Sequence, residues 1–168
     1  MRFSNLYAVC REYTWQVGSS GITNSGRILA LDVGSHTIGM AVTDLLGITA
    51  QGLETLRRKN KRTDLAALQR VIDEYQVREI VVGLPLRMSG LEGTQSGKMR
   101  EFVVVLEKQF GLPVHLLDER LTSVEANRVL RESEMSIKKR AGAVDRLAAV
   151  LILQNFLQIR QLREQAGE

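Results

Sequence analysis

The chain has 168 residues, 44% of them hydrophobic and 25% charged, a size at which one domain buries a core without disulfide or metal staples. Lys and Arg number 23 against 19 Asp and Glu, and a net charge of +4 permits a polyanionic partner without requiring one. One cysteine, Cys10, and two histidines, His36 and His115, exclude an internal disulfide and a Cys/His zinc cluster, and the longest apolar run, Leu147 to Leu153, is far too short to cross a bilayer.

Residues 1–26 show no sustained period and close on a Gly/Ser/Thr/Asn stretch from Gly18 to Gly26, which is linker chemistry. They read as a flexible extension ahead of a domain spanning 27–168, with a cytoplasmic location expected. RILALDV (27–33) is a short apolar run that predicts a buried strand; after the turn GSHT, IGMAVTD (38–44) predicts its partner. ITAQGLETLR (48–57) alternates and predicts the third strand of an antiparallel meander. RRKNKR (57–62) carries five positive charges in six residues; runs of this kind usually form solvated faces, but two of them, here and at Lys138–Arg140, on a +4 domain favour a nucleic-acid partner. In DLAALQRVIDEY (64–75), apolar residues at Leu65, Leu68, Val71, Ile72 and Tyr75 have helical spacing, with Thr63 as the expected N-cap.

EIVVGLP (79–85) predicts a fourth strand, LRMSGLEGTQSG (86–97) a glycine-rich loop, and KMREFVVVLEKQFG (98–111) a helix ended by Gly111. VHLLDE (114–119) is the fifth strand. TSVEANRVLRE (122–132) has a capping-box pattern and predicts a short helix. SEMSIKKRAG (133–142) is polar, basic and expected to be flexible, ahead of a long apolar helix over 143–165. Strands alternating with helices in the second half imply a mixed sheet with helices on its faces.

Three carboxylates fall where apolar residues would be expected. Asp32 closes the first strand and Glu119 the fifth; Asp145 has Ala148, Ala149 and Ile152 at its i+3, i+4 and i+7 positions. A buried carboxylate needs a cation, a set of donors or a wet cleft. Oxygen ligands without histidine or cysteine suit Mg²⁺ or Mn²⁺, and three of them converging would suit in-line displacement at a phosphodiester. The bland alternative makes Asp32 and Glu119 strand-end turn residues and Asp145 a first-turn residue favoured by the helix dipole. Gly34 and Gly39 would let backbone approach a phosphate, with Ser35 and Thr37 as hydroxyl donors. Arg120 and Thr122 are candidates for holding a scissile phosphate. Arg87, Lys98 and Arg100 flank the glycine loop, and Lys138, Lys139 and Arg140 form a second basic run; all could track a nucleic-acid backbone.

LDVGSHTIGMAVTD, VVGLPLRMSGLEG, DERLTSVEA and KKRAGAVDRLAAVLILQNFL, in this order, resemble the four motif blocks of the YqgF family across residues 27–160. These ribonuclease H-like proteins are described as Holliday-junction resolvases and as nucleases maturing the 5′ end of pre-16S ribosomal RNA. The resemblance implies a five-stranded mixed sheet, three antiparallel meander strands then two parallel, with helices on both faces. It also implies nuclease activity dependent on a divalent metal, with Asp32, Glu119 and Asp145 as the acidic positions. His36 and Thr37 replace the more usual basic pair after the turn. The expected partners are nucleic acid, precursor rRNA ahead of branched DNA, and ribosomal precursor particles, with no membrane. A monomer or weak homodimer is expected, with Phe156, Leu157, Ile159 and Leu162 as a possible dimer face. Two other functions compete: an ATP-hydrolysing module, since DVGSHTIGMAV also resembles the phosphate loop of actin-like ATPases, and a non-catalytic ribosome-assembly factor that binds nucleic acid.

Overall fold

A computed structural model describes residues 26–84, 94–118 and 137–167. Its centre is β1 (Arg27–Val33), whose side chains are buried on both faces: Leu29 and Leu31 join one apolar cluster, Ile28 and Ala30 the other. A strand apolar on both sides belongs inside a sheet covered by helices. β2 (Thr37–Thr43) pairs antiparallel with β1, setting Asp32 opposite Gly39 and Ala30 opposite Ala41. β3 (Ala50–Gly52) and β4 (Leu56–Arg57) run antiparallel to β2, while β5 (Val77–Leu84) pairs parallel with β1 and β6 (Val114–Asp118) parallel with β5. The order across the sheet is β3-β2-β1-β5-β6, with β4 on the outer side of β2.

Two helices, α1 (Lys61–Tyr75) and α2 (Thr94–Phe110), cover one face through Leu68, Ile72, Met99, Val103 and Leu106. The other face belongs to α3 (Ile137–Ala166), which buries Ala149, Ile152, Leu153 and Phe156 against Ile28, Ala30, Ala41 and Val81. Each of the three large side chains in that set contributes about 1.5–3 kcal/mol. The architecture is the ribonuclease H-like α/β sheet that the motifs imply.

Four expectations are corrected. The third strand is broken, so the sheet has six strands rather than five. Leu53 N–H donates to the Met40 carbonyl at 2.8 Å, and two residues, Glu54 and Thr55, then oppose Gly39 alone before pairing resumes at Leu56 with Ile38. This bulge keeps both Leu53 and Leu56 in the core, where strict alternation would bury only one. Asn60, not Thr63, caps α1: its side chain accepts from Thr63 N–H at 3.0 Å. The basic stretch expected to be flexible is helical from Ile137, so Lys138 and Lys139 stand in the first turn of α3. Phe156 is buried and stacks on His115 at 5.2 Å, so it cannot belong to a dimer face; Leu162, 53% exposed, still could. The extension 1–25 and the expected short helix 122–132 lie outside the described residues.

Candidate functional site: an acidic pair at the end of the sheet

Alternation along β1 sends Asp32 to the α3 face, on the parity of Ile28 and Ala30. The facing helix brings Asp145 down onto it. Gly39, the register partner of Asp32, makes that approach possible: a Cβ there would overlap the Asp145 carbonyl oxygen and lie 3.1 Å from its Cα. Gly39 therefore admits a helix backbone rather than the phosphate expected of it. Ala148, Ala149 and Ile152 are buried beneath Asp145, which leaves its carboxylate at the upper edge of the packed layer. Because α3 begins at Ile137, Asp145 is its ninth residue, in the third turn, where the helix dipole no longer favours an acid.

Thr37 donates its hydroxyl to Asp145 Oδ2 at 2.6 Å. Thr37 was expected to donate to a phosphate; here it orients a carboxylate. Burial, and then the nearby Asp145 charge, push the Asp32 carboxyl up to about 6. Among the described residues no Lys or Arg pairs with either acid, and no third acidic, histidine or cysteine ligand completes a metal-holding group with them. The third carboxylate from the sequence, Glu119, lies outside the described residues, directly after the Asp118 that ends β6 opposite Leu84.

The turn after Asp32 is braced by a residue that the charge run concealed. Arg58 donates through Nη1 to the Gly34 carbonyl at 2.7 Å and through Nε to Asp64 Oδ2 at 3.3 Å. Asp64 is 2% exposed and also accepts from Lys59 N–H at 2.9 Å. Arg58 is thus a structural strut and not part of a solvated face. The signal was available in the sequence: an acid two residues past the run, at Asp64, on the N-terminal turn of an amphipathic helix. We expect Asp64→Ala, which strands the Arg58 guanidinium and the Lys59 N–H, to lower stability by about 2–4 kcal/mol in a urea melt.

Other expected substrate contacts are dispersed. Ser35 is exposed in the turn, its Oγ 2.8 Å from His36 Nδ1. Lys98 is exposed near the start of α2, in the layer on the far face from Asp145. Arg100, two residues further, is half-buried. Arg87, Arg120 and Thr122 lie outside the described residues. His115 is engaged structurally: Nε2 lies 3.3 Å from Glu79 Oε2, which Arg160 also contacts at 3.1 Å. These partners, His115 first, hold the Glu79 carboxyl below its usual range.

On this ribonuclease H-like sheet, Asp32 near the end of β1 and Asp145 in the third turn of α3 form a candidate site of carboxylate oxygens, the kind a nuclease-type domain uses. The family model described as "RuvX: Holliday junction resolvase" matches residues 26–159, and the chain belongs to that family, the one also called YqgF. It is 71% identical over 135 residues to a protein of Koribacter versatilis named "Putative pre-16S rRNA nuclease", covering 80% of this chain and 88% of that protein. A protein of the same name from Moorella thermoacetica is 51% identical over 131 residues, covering 78% and 94% respectively. Among solved structures, "T. thermophilus RuvC in complex with Holliday junction substrate" aligns over 81% of this chain and 96% of that chain, with a TM-score of 0.49 and 14% identity. No helix among the described residues is long and apolar enough to cross a membrane.

Proposed function

We propose that this chain is a metal-dependent endonuclease that hydrolyses phosphodiester bonds in structured nucleic acid, with the 5′ region of precursor 16S rRNA as its substrate. The observation that carries this reading is the Asp32–Asp145 pair. Two acids are drawn together on a desolvated sheet edge, one forced up to about 6, with no ion pair to a Lys or Arg among the described residues to relieve them. Such a pair is destabilising by itself and fits a divalent ion. The donors are carboxylate oxygens, which suits Mg²⁺ or Mn²⁺ over softer metals. Asp32 and Asp145 would hold the ion, with Glu119 as the third ligand that the motifs supply. When bound, such an ion supplies Lewis acidity toward a phosphodiester.

The chain's own groups do the rest. Thr37 fixes Asp145 by holding Oδ2, and Arg58 fixes the turn that follows Asp32. Ser35, exposed in that turn, is placed to donate to a substrate phosphate, and the lysines Lys138 and Lys139 on the first turn of α3 lie on the same helix as Asp145. The lone Cys10 fits a reducing compartment, the cytoplasm, where ribosomal precursors are processed. A four-way DNA junction is the second reading, favoured by the description of the matching family.

The test is a cleavage panel comparing a 5′-extended 16S precursor RNA with a synthetic four-way junction in Mg²⁺, Mn²⁺ and EDTA. Metal-dependent cleavage of the RNA is expected, lost in Asp145→Asn. Faster cutting of the junction would move the assignment to the second reading, and cleavage that persists in EDTA would refute both. Thr37→Val, which keeps shape but removes the donor, is expected to reduce cleavage about 10- to 100-fold in single-turnover assays while shifting stability by only about 1–2 kcal/mol.

A further inference from the structure

The basic run RRKNKR is divided by the sheet into residues with opposite roles. Leu56 packs into the cluster under α1 and α2, so its neighbour Arg57 projects to the α3 face, where it stands opposite Thr37 in register. Thr37 is the residue whose hydroxyl holds Asp145. The bulge at Glu54–Thr55 decides this. Strict alternation from the buried Leu53 would send Arg57 to the other face. A second arginine reaches the same edge from above: Arg146, next to Asp145, lays its stem across Gly52 of β3, whose absent side chain leaves room, with Cγ 2.6 Å from where a Cβ would be. Both arginines are exposed, and neither forms an ion pair among the described residues.

Resting on the nuclease reading above, we propose that Arg57 and Arg146 form a backbone-phosphate grip on the β3–β4 side of the acidic pair, taking phosphates that flank the cleaved one. Two cations held beside two acids would offset the repulsion between the acidic edge and a polyanion. Guanidinium groups suit this because they engage phosphate oxygens through two parallel donors. The remainder of the run does other work: Arg58 braces the Gly34 turn, and Lys61 and Arg62 open α1 and line a shallow groove with Gln69 and Gln109 in the opposite layer.

The experiment measures equilibrium binding of a fluorescein-labelled 5′-extended 16S precursor RNA in EDTA, where no cleavage occurs, across a salt series. Arg57→Ala and Arg146→Ala are each expected to weaken binding about tenfold and to flatten the plot of log affinity against log salt by about one unit. Arg62→Ala, removing the same charge from the same run, is expected to keep the wild-type slope. Thermal melts of Arg57→Ala should match wild type, because that side chain is exposed, and Arg146→Ala should lose only the packing of its stem on Gly52, a small change beside the loss of binding. Wild-type slopes in Arg57→Ala and Arg146→Ala, or an equal loss in Arg62→Ala, would overturn the assignment. A wild-type chain that binds neither this RNA nor a four-way junction would instead overturn the nuclease reading itself.

Discussion

Asp32→Asn is expected to abolish metal-dependent cleavage, by a factor on the order of 10² or more, while making the metal-free protein more stable at neutral pH. The activity loss follows from removing a proposed ligand, since losing only a group that supports a ligand costs about 10- to 100-fold. The stability gain follows from linkage. The Asp32 carboxyl has an ordinary value of 3.8 and is pushed up to about 6 by burial and by Asp145. The folded chain therefore holds this proton more tightly than the unfolded chain does. Its ionisation favours unfolding, so stability falls as pH rises from about 4 to about 6 and stays lowered above that. Asparagine cannot ionise and escapes this loss. At pH 7.5 in EDTA the variant should gain about 1–3 kcal/mol in a urea melt, and the gain should vanish near pH 4. A variant less stable than wild type at both pH values would mark Asp32 as a structural acid satisfied by the protein.

Gly39→Ala should damage both the fold and the site. The added carbon would overlap the Asp145 carbonyl oxygen, a backbone atom inside a helix, so α3 must shift bodily rather than one side chain turning aside. We expect a stability loss of about 1–3 kcal/mol and a fall in cleavage of about 10²-fold, because displacement of a reacting constellation by about 1 Å is enough for that. The control is Gly47→Ala in the β2–β3 turn. Gly47 has φ +68 and open space around it, so alanine there strains the backbone by about 1–2 kcal/mol without touching the site. The two variants should lose comparable stability while only Gly39→Ala loses activity per folded molecule. Equal activities would show that the spacing between α3 and β2 does not set the site.

Much of this was legible in the residues. RILALDV marks β1 by its unbroken apolar run, and the spacing around Asp145 shows that an acid sits over an apolar face. What stayed hidden depends on register between strands. Nothing local in ITAQGLETLR reveals that Glu54 and Thr55 share one partner, yet that bulge decides which of Arg57 and Arg58 faces the acids. Gly39 reads as a hairpin glycine until the facing helix is known. Thr37 reads as a free hydroxyl because its partner is 108 positions away. The start of α3 is hidden because Lys138, Lys139 and Arg140 look like a solvated segment, while the helix they open is anchored by apolar contacts further along.

If Asp32 and Asp145 jointly hold one kind of ion, Mn²⁺ binding followed by electron paramagnetic resonance shows it without any choice of substrate. Wild type at pH 7.5 should take up Mn²⁺, with affinity falling below about pH 6 as Asp32 gains its proton, and Asp32→Asn and Asp145→Asn should each lose that uptake. Undiminished Mn²⁺ binding in both variants would contradict it.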